Sequence, residues 1–143
     1  MILGVTGSSW RVTDAQHSVL RTRLPLWATP DEVPVLHHGD CIHADAYAAQ
    51  HARDFGYYII GHPPTNQSKR AFFESDSMNP EKPYLERNHD IVDACEALIA
   101  IPDGFIEELR SGTWATVRYA RQRHRPIFIV YPDGRTRTEG PWK

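Results

Sequence analysis

Cysteine is scarce: the 143 residues hold only Cys41 and Cys95, far apart and without a CxxC pair. A domain of this length builds a core without staples, so a disulfide scaffold is excluded and the two read as reduced thiols. A basic excess is missing as well. Lys and Arg number 16 against 18 Asp and Glu, a formal net charge of -2, which argues against a general nucleic-acid binder. No stretch approaches the ~20 apolar residues of a membrane span. The opening MILGVTGSSW lacks the basic region of a signal peptide, so a soluble, cytoplasmic chain is expected. Internal repeats and low-complexity tracts are absent. His37, His38 and His43 cluster near Asp40 and Cys41, but their spacing fits no standard zinc pattern. On a strand, His37 and His38 point to opposite faces. Neither metal nor cofactor is expected.

Against these absences stand short apolar runs that alternate with helical patterns. Met1–Val5, Val35–His37, Tyr57–Ile60, Ala97–Ile101 and Ile127–Tyr131 read as buried strands. Thr13-Asp14-Ala15-Gln16 forms a capping box, and the helix behind it turns Ala15, Val19, Leu20 and Leu24 inward until Pro25 stops it. From about Ala44 to Phe55, Ala44, Ala48 and Ala52 share one face, letting that helix lie close to a sheet, with Gly56 as its cap. Pro83 opens a third helix whose inward stripe holds Leu85, Ile91, Val92 and Cys95. Ser111 caps a fourth, which carries Ala115, Val117 and Ala120.

Such alternation predicts an α/β fold: one Rossmann-like three-layer domain over 1–131, with a five-stranded parallel sheet of order 3-2-1-4-5 and helices on both faces. Residues 65–82 form a long polar loop, a lid, a binding arm or a disordered stretch. Residues 132–143 read as a loosely held polar tail.

At the carboxyl ends of those strands three loops converge: Thr6-Gly7-Ser8-Ser9, His38-Gly39-Asp40-Cys41, and Pro102 through Thr113. Two run into helix starts, whose free N–H groups and dipole attract anions. Gly7, Ser8, Ser9, Gly39, Asp40, Ser111, Gly112 and Thr113 are therefore candidate ligand contacts, unless the glycines only make turns and Ser111 only caps. Asp40, a poor neighbour for phosphate, suits ribose hydroxyls. Asp45 reads as a helix-opening acid. Arg87 and Asn88 lie on the third helix, where an inward amide needs partners from a loop or a ligand. His62 and Trp114 either stack on a base or pack. Lys69 and Arg70 either clamp a phosphate or belong to an exposed arm used in dimerisation, and a homo-oligomer, most simply a dimer, is expected.

The order and spacing of Gly4-Val5-Thr6-Gly7, Gly39-Asp40-Cys41 to Asp45, Arg87-Asn88 with Ile91-Val92, and Ser111-Gly112-Thr113 resemble the SLOG superfamily. That group includes the DNA-processing protein A and the LOG, or "lysine decarboxylase-like", phosphoribohydrolases. The resemblance runs from Met1 to about Tyr131 and implies a site for a nucleotide or nucleotide derivative, its phosphate near Gly112-Thr113. LOG enzymes carry P-G-G-x-G-T-x-x-E; here the loop is Pro102-Asp103-Gly104, and Thr116 stands where the glutamate belongs. A second resemblance, to nucleoside deoxyribosyltransferases, rests on a similar D-x-G-T-x-x-E before a closing strand, and this chain departs from it at the same glutamate. The leading expectation is thus a nucleotide-binding protein. The alternative is an N-glycosidic hydrolase or transferase, with Arg87 holding phosphate and Glu107 or Glu108 as the carboxylate. Otherwise these two are solvated loop charges. A single-stranded DNA-binding module would need a contiguous basic surface, which the charge balance disfavours.

Overall fold

The computed structural model describes residues 1–142. Its strands are β1 (Ile2–Gly7), β2 (Val35–His38), β3 (Tyr58–Gly61), β4 (Ser77–Met78), β5 (Ala97–Ile101), β6 (Ile127–Val130) and β7 (Thr136–Glu139). The helices are α1 (Asp14–Trp27), α2 (Ala44–Asp54), α3 (Tyr84–Ala94) and α4 (Gly112–Gln122). The sheet order is β4-β3-β2-β1-β5-β6-β7, parallel throughout except for β7, which runs antiparallel to β6. The expected five-strand order is its centre, and both edges carry a strand the sequence pattern did not announce.

Each edge strand has a physical reason. The Asp76 carboxylate accepts the Ile59 N–H at 2.7 Å, pinning the 65–82 segment beside β3. At the other edge Tyr131, Asp133 and Gly134 close a turn, with Gly134 at φ 87°, and return 136–139 along β6. The expected loose tail is therefore corrected through residue 142. Trp142 stacks on Trp27 at 4.8 Å, which holds the end of the chain against α1.

β5 shows why the central strands look uniformly apolar. Ala97, Ile99 and Ile101 pack with Leu20, Leu24 and the α2 alanines on one face. Leu98 and Ala100 pack with Val92, Trp114, Val117 and Ala120 on the other. A strand covered on both sides needs apolar residues at every position. Two helical expectations are corrected. Pro25 lies inside the last turn of α1, where its missing N–H forfeits a single bond and the helix runs on to Trp27. Leu85 is exposed, because α3 turns Arg87, Ile91 and Val92 inward. No helix among the described residues is long and apolar enough to cross a membrane.

Candidate functional site

A cleft of about 680 Å³ opens where β1 and β5 end side by side. One wall is Thr6 to Trp10, the loop after β1; the floor takes Cys41 and Asp45 from the entry to α2. Tyr84, Arg87, Asn88 and Ile91 come from α3, and Asp103, Glu108, Ser111, Gly112 and Thr113 from the β5–α4 connection. Asn66, Ser68 and Lys69 of the long segment complete it. That segment is strapped down: Ile42 N–H donates to the Lys69 carbonyl at 2.9 Å and Ala71 N–H to that of Asp40 at 2.8 Å.

Of the residues singled out in the sequence, Gly7, Ser8, Ser9, Arg87, Asn88, Glu108, Ser111, Gly112 and Thr113 line this cleft. Gly39, Asp40 and Glu107 do not, and each absence has a cause. Asp40 is fully buried; its Oδ2 accepts from Arg70 Nε at 2.8 Å and its Oδ1 from Phe73 N–H at 2.9 Å. The expected ribose-binding acid is a latch for the strap. The same ion pair removes Arg70 as a phosphate clamp, while the exposed Lys69 ammonium keeps its place at the cleft. Glu107 sits outside, paired with Arg118 at 3.2 Å and Arg121 at 2.9 Å. Gly39 gives room. A Cβ there would lie 2.7 Å from Arg87 Cζ and 2.8 Å from Asp45 Oδ2.

Arg87 is buried and held by its surroundings. Its guanidinium donates to the carbonyls of Gly39 and His62, its Nε to Asn88 Oδ1 at 2.7 Å, and its Nη2 approaches Cys41 Sγ at 3.8 Å. The Asn88 amide oxygen thus has its partner within the protein, while the residue lines the cleft. Asp45 accepts the N–H groups of Gly39 at 2.9 Å and Cys41 at 3.4 Å, both on Oδ2. Burial pushes its carboxyl up to about 6, against the pull of the Arg87 charge and those two donors. Burial, reinforced by the Asp45 charge, pushes the Cys41 thiol up to about 11, so it stays protonated at neutral pH.

Of the converging helix starts, one is open. Thr13 closes α1 by accepting the Gln16 N–H at 3.1 Å, away from the cleft. At α2 the Ala44 N–H is taken by the Ser8 carbonyl at 3.1 Å, an approach that Gly7 permits: a Cβ there would stand 2.5 Å from Ala44 Cβ. At α4, Ser111 accepts the Trp114 N–H at 3.3 Å, leaving the first-turn amides of Gly112 and Thr113 facing outward from the helix without intrahelical partners. Thr113 is 8 % exposed, lines the cleft, and its hydroxyl has no partner among the described residues. Thr116, at the missing-glutamate position, is buried and donates to the Gly112 carbonyl at 2.9 Å.

Neither proposed stacking residue reaches the cleft. Trp114 belongs to the core under α4. His62 bonds His37 at 2.8 Å and Asn79 at 3.1 Å, and burial depresses it to about 4. The rim rings are Trp10, 69 % exposed, and Tyr84, 37 % exposed. Sequence reading passed over both because they sit just outside the loop and helix motifs. The signal available was an aromatic within three residues of Gly7.

No protein-family model matches the chain, and neither does any curated protein. Solved structures do. The molybdenum cofactor binding protein from the phototrophic bacterium Rippkaea orientalis is 21% identical, with a TM-score of 0.67 over 91% of this chain and 76% of its own. The Moco carrier protein from Chlamydomonas reinhardtii is 19% identical, TM-score 0.63, over 90% and 74%. DNA processing protein A from Helicobacter pylori, solved for its single-stranded DNA binding mode, is 20% identical, TM-score 0.59, over 90% of this chain and 64% of its own. At such identities the likeness speaks to architecture alone: the chain shares the Rossmann-like α/β fold of these proteins.

Proposed function

We propose that the cleft binds a nucleotide or nucleotide-derived small molecule, with a phosphate against the start of α4. The observation that carries this is Thr113: a buried, unpartnered hydroxyl opening into the cleft at a helix start whose first amides are free. Backbone N–H groups and the dipole there favour an anion. Lys69 adds a positive charge, and Trp10 and Tyr84 offer ring faces for a flat group. The volume falls within the usual range for small-molecule pockets, roughly 300–1,000 Å³.

The reading contains no bond-breaking step. The motif glutamate is Thr116, and Glu107 is held outside by two arginines. Only Glu108 keeps the N-glycosidase alternative within reach. A DNA-binding surface draws no support from α4 and its C-terminal cap, where Arg118, Arg121 and Arg123 are all paired with carboxylates.

Calorimetric titration with nucleoside monophosphates, cyclic nucleotides, NAD, ADP-ribose and the molybdenum cofactor tests the proposal, with each binder checked afterwards for breakdown. Thr113→Val and Lys69→Ala should each weaken a phosphate-bearing binder about tenfold. Equal binding by both variants would refute the phosphate position. Release of a free base would establish turnover and point to Glu108.

A further inference from the structure

The carboxylate of Asp45 is unlike the others in the molecule. It is 5 % exposed, yet both of its protein hydrogen bonds fall on Oδ2. Oδ1 has no partner among the described residues and is not sealed off, since Asp45 lines the cleft. A buried carboxylate oxygen that meets only the cleft requires a donor there. Phosphate cannot be that partner, because like charges repel in a partly desolvated site.

Resting on the nucleotide reading above, we infer that Asp45 receives a sugar hydroxyl of the ligand, and that the ligand is a ribonucleotide or a ribosyl phosphate rather than a deoxy one. The acid at the end of β2 serves ribose in dinucleotide folds; here that position is Asp40, consumed by Arg70, and the acceptor has moved to the start of α2. Asp45 and Thr113 open on the same cleft from helices that cover opposite faces of the sheet, so a single ligand can meet both. A sugar hydroxyl beside the phosphate is a neutral donor that a carboxylate can accept without like-charge repulsion. Above about pH 6 the Asp45 carboxyl is ionised and accepts strongly.

The test is calorimetry with AMP and GMP against their 2′-deoxy and 3′-deoxy analogues, on the wild-type protein and on Asp45→Asn. The variant keeps an oxygen for the Gly39 and Cys41 amides. Removing the bonded hydroxyl should weaken wild-type binding about tenfold or more. Asp45→Asn should weaken the ribonucleotide similarly and bind ribo and deoxy forms alike. Equal wild-type affinity for all analogues would overturn the inference, whether or not the variant folds. So would a loss that appears only when the purine amino group is removed, since that places the base at Asp45. In either case the Thr113→Val effect would survive and the phosphate subsite would stand. If none of the ligands titrated above binds a folded protein, the nucleotide reading falls and this inference with it.

Discussion

Replacing Gly39 by alanine isolates the buried heart of the cleft. The added Cβ would stand 2.7 Å from Arg87 Cζ and 2.8 Å from Asp45 Oδ2, inside contact distance of two packed polar groups. Gly39 has an ordinary φ, so the backbone admits alanine, and the smaller unfolded ensemble would by itself stabilise by ~0.4–1 kcal/mol. Steric conflict runs the other way. Overpacking a tight site costs ~1–3 kcal/mol. Moving the guanidinium also breaks its bonds to the Gly39 and His62 carbonyls, and charged hydrogen bonds are worth ~1.5–3 kcal/mol each. The net expectation is a loss of about 3 kcal/mol, or a Tm lower by roughly 10 °C for a chain of this length. Urea titration reads it as a lower midpoint at unchanged slope. Gly112→Ala is the control, since nothing lies within 4 Å of a Cβ there, and it should match the wild type or gain ~0.4–1 kcal/mol. A Gly39→Ala protein within about 0.5 kcal/mol of wild type would refute the placement of Arg87 against this loop.

Stability should fall as pH drops from about 6.5 towards 4. Burial depresses His38 to about 3 and His62 to about 4, so the unfolded chain takes up protons there first, and stability present above pH 6.5 is lost. Asp45, raised to about 6, works in the opposite sense by protonating first in the folded state, yet the two histidines outweigh it by on the order of 4 kcal/mol at pH 4. Stability that rises on acidification across this range would contradict the buried histidines. Gln16→Leu should cost about 3 kcal/mol, because it strands the carbonyls of Pro102 and Val130, bonded at 2.8 and 2.9 Å, and the Thr13 N–H at 3.0 Å. A chemical-denaturation curve unchanged by that substitution would refute its bridging role. Asp40→Asn, tolerated by the φ of 56° at that residue, should weaken the Arg70 latch by about 3 kcal/mol and speed tryptic cleavage after Lys69 or Arg70. An unchanged cleavage rate would show that the strap is held by other contacts.

Local sequence determined the elements and their arrangement. Continuous apolar runs such as Ala97–Ile101 demand a sheet covered on both faces, and right-handed crossovers then leave few strand orders. Thr13 with Gln16, and Ser111 with Trp114, cap their helices through neighbours three residues away, which is why both starts could be read directly. A cleft at the carboxyl ends of the strands, the candidate site, followed from the same order. Tertiary structure decided which polar atoms are free to act. Asp40 and Asp45 stand five positions apart in one loop-to-helix turn, and nothing local separates their roles. Arg70, 30 residues along, occupies one, while the amides of Gly39 and Cys41 take a single oxygen of the other. Glu107 and Glu108 part in the same way, because Arg118 and Arg121 draw the first out of the cleft. Edge strands followed the same logic: Ser77–Met78 and Thr136–Glu139 are too short and too polar to signal themselves, and they become strands because an existing edge offers its unpaired N–H and C=O groups. A hydrogen-bonding atom is spent or spared by partners distant in the chain, so periodicity locates the site and only packing assigns its chemistry.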